Sequence, residues 1–231
     1  MRSLFILAVL GIAVLPAVAA YQVRFVPARV APYYEAGDHR ADRPRIATHS
    51  GFDRLLESTR PEDIRKVGDA IKAEPEGVNP ITMMVLAIRS YDVGLRDESV
   101  FWYYAGRDRM ATASAVLDKG FAEVARIDAA TRAFVLRAGP TINGYALCDV
   151  DGYRRIRREA LEWVEKNPFA TIFIETIPAR PGDRRSLLAR SVRELRTEVE
   201  EEAAALGRPE EAAKRAAARR EAEADDKYCW K

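Results

Sequence analysis

With 231 residues, 48% of them apolar, the chain is long enough to fold around a substantial core, which excludes fibrous and intrinsically disordered classes. A net charge of only +2, with 37 basic and 35 acidic residues interspersed, gives no electrostatic reason for a nucleic-acid partner. Two histidines and two cysteines offer neither a zinc-ligand spacing nor a Cys-x-x-Cys redox pair.

The chain starts with Arg2, an apolar run from Leu4 to Leu15, and the small-residue exit Pro16-Ala17-Val18-Ala19-Ala20. This order is that of a secretory signal, with cleavage expected before Ala20 or Tyr21. The run is short for a membrane span, and no cysteine follows it to carry a lipid. The expectation is a periplasmic or secreted protein of about 211 residues with no transmembrane anchor in its mature form. In an oxidising compartment Cys148 and Cys229 are expected to bridge within the chain and pin the C-terminus to its middle. A bridge to another chain, or two free thiols, are the alternatives.

Residues 21–58 read as an extended arm. Tyr21 to Val26 alternates enough for one short strand, before Pro27 and Pro32 interrupt it. From residue 59 the pattern becomes helical. Thr59 and Glu62 resemble a capping box ahead of Ile64, Val67 and Ile71, and Pro75 and Gly77 close that helix. Asn79-Pro80 caps the next, with Met83, Met84, Ala87, Ile88 and Tyr91 on it and Gly94 at its end. A helix from Asp97 to about Leu117 follows after a short turn, so the two should form an antiparallel hairpin.

A fourth helix is predicted from Phe121 to about Arg137, ended by Gly139-Pro140, with a turn at Asn143-Gly144. A fifth carries Tyr153, Ile156, Ala160 and Trp163. Asn167-Pro168 precedes a stretch that reads as a short helix or, over Thr171 to Ile177, a strand. After a linker from Pro178, Asp183 caps a long helix with Leu188, Val192, Leu195, Val199, Glu202 and Leu206 in a stripe suited to packing on the body or on one partner helix. Gly207 and Pro209 interrupt it, and the Ala-, Glu- and Arg-rich tail has little to bury. The fold class is mainly α: an irregular helical bundle or short helix-turn-helix array, with an extended N-terminal arm and a long C-terminal helix. Its divisions are 1–20, 21–58, 59–177 and 178–231.

Val100 to Ala105 is apolar or aromatic in every direction around a helix, so that helix is either sandwiched between neighbours or presents rings to a partner. Tyr91, Trp102, Tyr103, Tyr104 and Arg107 are the candidate binding surface there. Asn143 and Tyr145 join them from a loop that a Cys148–Cys229 bridge would hold in place. The hairpin over residues 80–117, through Ala87, Tyr91, Gly94 and Trp102-Tyr103, resembles the repeats of tetratricopeptide-type scaffolds. That resemblance implies protein or peptide binding rather than catalysis.

No catalytic constellation is visible: His39 and His49 stand in the arm without a neighbouring acidic pair or a thiol. No cofactor or metal is implied. The leading expectation is a non-catalytic periplasmic module that binds another protein of the envelope or a secreted effector, as an inhibitor or immunity protein would, and is a monomer or weak homodimer. The alternatives are a small envelope-acting hydrolase using paired carboxylates, and a structural envelope accessory protein that oligomerises through the Leu188–Leu206 stripe.

Overall fold

The computed structural model describes residues 21–35 and 43–230, so the expected export signal and His39 lie outside the described residues. The fold is mainly α, with a three-stranded antiparallel sheet of two-residue strands at the N-terminal side: β1 (Arg29–Val30), β2 (Tyr34–Glu35) and β3 (Arg45–Ile46) in that order. A short helix α1 (Asp53–Leu56) follows, then α2 (Pro61–Ala73), α3 (Pro80–Asp92), α4 (Arg96–Val116), α5 (Ala122–Ala146), α6 (Val150–Lys166), α7 (Arg184–Gly207), α8 (Pro209–Glu221) and α9 (Ala224–Tyr228). No helix among the described residues is long and apolar enough to cross a membrane.

Helix α4 is the axis of the molecule, packing against α3, α5, α6 and α7. This follows from its all-round apolar surface: Val100, Trp102, Tyr103, Tyr104 and Ala105 are all buried, and only Phe101 of the run is partly exposed. Helices α3 and α4 form the expected hairpin, with Gly106 against Met83 and Met84. Asn79 caps α3 by accepting from the Ile81 amide at 2.9 Å, and Asp183 caps α7 by accepting from Ser186 at 2.8 Å. Arg109, wholly buried on α4, fastens three chain segments: its guanidinium donates to the carbonyls of Pro75 (2.6 Å), Val78 (2.9 Å) and Asn167 (2.7 Å). Burial holds its pKa down to about 10.

Several local expectations are corrected. Tyr21–Val26 is extended but is not a strand, because its amides find partners outside any sheet: Val23 donates to the Lys227 carbonyl and Val26 to the Asp92 carboxylate, each at 2.9 Å. Helix α2 is not capped by Thr59; its N-cap is Arg60, and Asp63 instead gathers Ser58, Arg60 and Lys66 around the first turn. Of the two readings of the stretch after Asn167-Pro168, the short helix stands, as a 3-10 helix over Ala170–Phe173, and the strand does not, since a loop follows.

Gly139-Pro140 does not end α5, and Asn143-Gly144 is not a turn; the helix continues to Ala146. A proline removes one helical donor and crowds the preceding turn. Burial of Ala138, Gly139, Thr141, Ile142 and Ala146 against the bundle keeps the segment helical through it. The glycines serve close approach instead. A Cβ on Gly139 would stand 2.7 Å from the Tyr103 hydroxyl, and one on Gly144 would stand 2.7 Å from the Tyr228 ring.

The Leu188–Leu206 stripe faces the body: Val192, Leu195, Val199 and Ala203 are buried, and α7 packs on α4 and α6. Helix α8 buries none of its residues. What fastens the end of the chain is the expected intrachain disulfide between Cys148 and Cys229, with the following Trp230.

Candidate functional site

Two surface cavities open along the seam of α4 and α6, of about 590 and about 450 Å³. They share Asp97, Arg155 and Ile156 in their walls, so they run end to end as one groove. Five stretches of sequence build it: Lys72 of α2, the N-terminal half of α4, the end of α5, the outward face of α6 and the disulfide-held C-terminus.

The larger end is organised around Arg96, at the first position of α4. Its guanidinium lies 3.6 Å over the Trp230 ring, 5.4 Å from that of Tyr91 and 5.6 Å from that of Tyr145. Such stacking suits a planar cation, and Arg96 also donates to the Trp230 carbonyl at 2.8 Å. Its Nε is buried without a hydrogen-bond partner. Arg24 also approaches Trp230, 5.1 Å from the ring. The Tyr145 hydroxyl donates to Asp97 at 2.8 Å. Burial, reinforced by that carboxylate, pushes the Tyr145 phenol up to about 12. Asp149, which caps α6 through the Gly152 amide, and the disulfide complete this end.

The smaller end has an aromatic floor and a charged rim. Phe101 and Trp102 meet Trp163 edge to face, with centroids 6.2 and 5.6 Å apart. The Lys72 ammonium stands 5.4 Å over Phe101. Around them are Glu98, Arg155, Glu159, Glu162 and Lys166, the Arg155–Glu159 pair at 3.1 Å. The rim thus carries charges of both signs, and the floor is apolar.

Beneath the groove lies a buried polar network that ties α4, α5, α6 and α7. Arg157 pairs with Asp108 through contacts of 2.5 and 3.2 Å, both side chains almost fully enclosed. Arg107 reaches the same carboxylate at 3.2 Å and lies over the Tyr104 ring. The Tyr104 hydroxyl donates to Asn143 at 3.0 Å. The Tyr153 hydroxyl sits 2.7 Å from Glu202 and 3.0 Å from Tyr104, with one proton to give to either. Burial raises the Tyr153 and Tyr104 phenols.

The residues singled out from sequence therefore separate into three groups. Tyr91, Trp102, Tyr103 and Tyr104 are buried core residues rather than an exposed surface, although Trp102 shows an edge to the groove. Arg107 and Asn143 belong to the buried network, and Asn143 is helical rather than on a loop. Tyr145 alone stands in the groove wall at the larger end. Sequence reasoning missed Arg96, Arg155, Phe101 and Trp163 as a set, and Trp230 as a wall. The one available signal was Trp230 beside a cysteine expected to be bridged.

Asp92, a carboxylate whose pKa burial raises, is not in the groove. It is enclosed by Arg89 (2.6 Å), the Tyr34 hydroxyl (3.0 Å) and the Val26 amide, where desolvation pushes it up against the pull of Arg89. His49 has a left-handed backbone (φ 58) and its amide donates to Asp53, which makes it part of the turn before α1.

No protein-family model matches the chain, and no solved structure matches it. A protein of Haemophilus influenzae described as uncharacterized is 28% identical over 217 residues, an alignment covering 90% of this chain and 80% of that one.

Proposed function

We propose that this is a protein-binding module of the bacterial envelope, and that the α4–α6 groove takes an extended segment of a partner protein. The observation that carries the reading is the shape and chemistry of the groove. An apolar floor of Phe101, Ile156 and Trp163 gives side-chain sites, and a rim of both signs, Lys72, Glu98, Arg155, Glu159, Glu162 and Lys166, gives charge selection. Its walls are preformed by helices and a disulfide, which lowers the ordering cost of binding. Grooves of this kind suit the peptide-holding role implied by the tetratricopeptide-like hairpin. Export to the envelope rests on the signal-like first twenty residues, and an inhibitor or immunity role fits the same surface.

A photocrosslinking residue placed at Phe101 in the living source cell tests this, with Leu136, an exposed apolar position on α5, as control. The expected result is one partner adduct from position 101, absent at 136 and abolished by a second change, Arg155→Glu. The same adducts from both positions, or none from 101, would remove the groove from consideration.

A further inference from the structure

We propose that the Cys148–Cys229 disulfide is a thiol-exchange site, set for reduction by Arg219, and that its opening releases the C-terminal strap from the groove. The carrying observation is the guanidinium of Arg219. Its Nη2 stands 2.9 Å from Cys229 Sγ and 3.4 Å from Cys148 Sγ. The group is held there from two other sides: Nη1 donates to the Gly144 carbonyl at 3.2 Å and Nε to Asp225 at 2.8 Å. Helix α8 has no core-facing residue, yet it delivers this one side chain, only 12% exposed, to the two sulfurs.

Accessibility and charge assign different roles to the two sulfurs. Cys148 is exposed and Cys229 half-buried. A thiolate of a dithiol reductant attacks Cys148 Sγ. The new S–S bond forms as the Cys148–Cys229 bond breaks, and the electron pair leaves on Cys229 Sγ, the sulfur nearer to Arg219. A neighbouring cation lowers a thiol's pKa, and a leaving thiol of lower pKa leaves faster. Asp225, whose Oδ1 stands 3.5 Å from Cys229 Sγ, opposes this, but Arg219 is closer at 2.9 Å and is itself paired with that carboxylate. The reductant's second thiolate then displaces Cys148 from the mixed disulfide. The reductant ends as a disulfide, the protein as two thiols or thiolates, and the proton balance is settled with solvent.

The mechanical result follows from what else holds residues 222–230. Ala224 is buried, Tyr228 lies on Gly144, Lys227 accepts from the Val23 amide, and Trp230 stacks on Arg96. All are local contacts near the sulfurs, and two of the walls of the larger cavity, Cys229 and Trp230, belong to this strap. Cutting the bond leaves the bundle of α2 to α7 intact and widens that end of the groove. This chemistry can be read without any binding partner, so it stands or falls separately from the proposed function.

The test uses the chain from residue 21 in its oxidised form, reduced by dithiothreitol at fixed pH and followed by alkylation and mass spectrometry. Arg219→Gln should slow reduction roughly three- to tenfold, and Arg219→Lys should recover part of the rate. In the reduced wild-type protein, which needs no variant to fold, Cys229 should alkylate with a midpoint below that of Cys148 and below the ordinary value of about 8.5. Hydrogen exchange on that form should speed up over residues 210–230 and stay slow over α3 to α6. An Arg219→Gln rate equal to wild type, a Cys229 midpoint no lower than that of Cys148, an unchanged tail, or loss of protection throughout the bundle would each overturn the proposal.

Discussion

At the scale of single residues, the heaviest commitment is the enclosed Asp108–Arg157 pair. Two charges out of water are tolerable together and costly apart, so Arg157→Met alone should destabilise by about 3–5 kcal/mol, read as a lower urea midpoint. Combining it with Asp108→Leu should recover a large part of that loss, because Arg107, the remaining partner of Asp108, can turn to solvent. The buried tyrosines make a second commitment. Tyr91, Tyr103 and Tyr145 are each pushed up to about 12, chiefly by burial, whereas an unfolded tyrosine ionises near 10. A raised folded value means that the unfolded chain gives up its protons first. The associated stability is complete below about pH 10 and is lost as pH rises towards about 12. Urea midpoints measured across that window, alongside phenolate absorbance, should fall together. Tyr145→Phe should flatten part of the slope, and a midpoint independent of alkaline pH would refute the assignment.

At the scale of elements, α5 decides between local rules and packing. If burial carries the helix through Pro140, then Pro140→Ala should leave stability unchanged or raise it, since a missing donor is restored at an exposed site. Gly139→Ala should cost about 1–3 kcal/mol, because the new methyl would press on the Tyr103 hydroxyl. Thermal unfolding of the two variants separates the explanations. A helix that really ended at Gly139 would show the reverse order.

The same element shows what was legible in the sequence. Caps with a side-chain acceptor and a following apolar stripe, Asn79 for α3 and Asp183 for α7, announce themselves because the chemistry is local. So did the central position of α4, since six successive apolar residues cannot all avoid neighbours. Gly139-Pro140 and Asn143-Gly144 carried strong local signals of the wrong kind. Their letters answer to Tyr103, Tyr104 and Tyr228, partners 36 or more residues away that sequence periodicity cannot see. The groove was illegible for the same reason. Arg96 and Trp230 meet across 134 positions, and only the disulfide expectation hinted that the C-terminus would arrive there.

At the scale of the whole molecule, one covalent bond closes a separation of 81 residues. A loop of that length stabilises by about 4.5 kcal/mol in the chain-entropy model. Replacing both cysteines with serine should therefore lower the urea midpoint while leaving the helical circular dichroism of the folded protein nearly unchanged. Its closing position also explains why an exposed helix such as α8 is retained in place. The helix buries nothing itself, but it lies between two anchored points, α7 on the body and Cys229 on α5's end.

The pairing of the Val23 amide with the Lys227 carbonyl, and of Arg24 with Trp230, places the two ends of the described chain side by side. Over residues 21–230 the described chain is topologically close to a ring. A short Gly-Ser bridge from residue 230 back to residue 21, with new ends opened at the exposed Pro181-Gly182, gives a permuted chain that keeps every helix whole. In that order α7 comes first and the arm sits mid-sequence, so the strap and the arm form a single continuous segment. The permutant offers a way to hold the strap in place by the backbone instead of by sulfur.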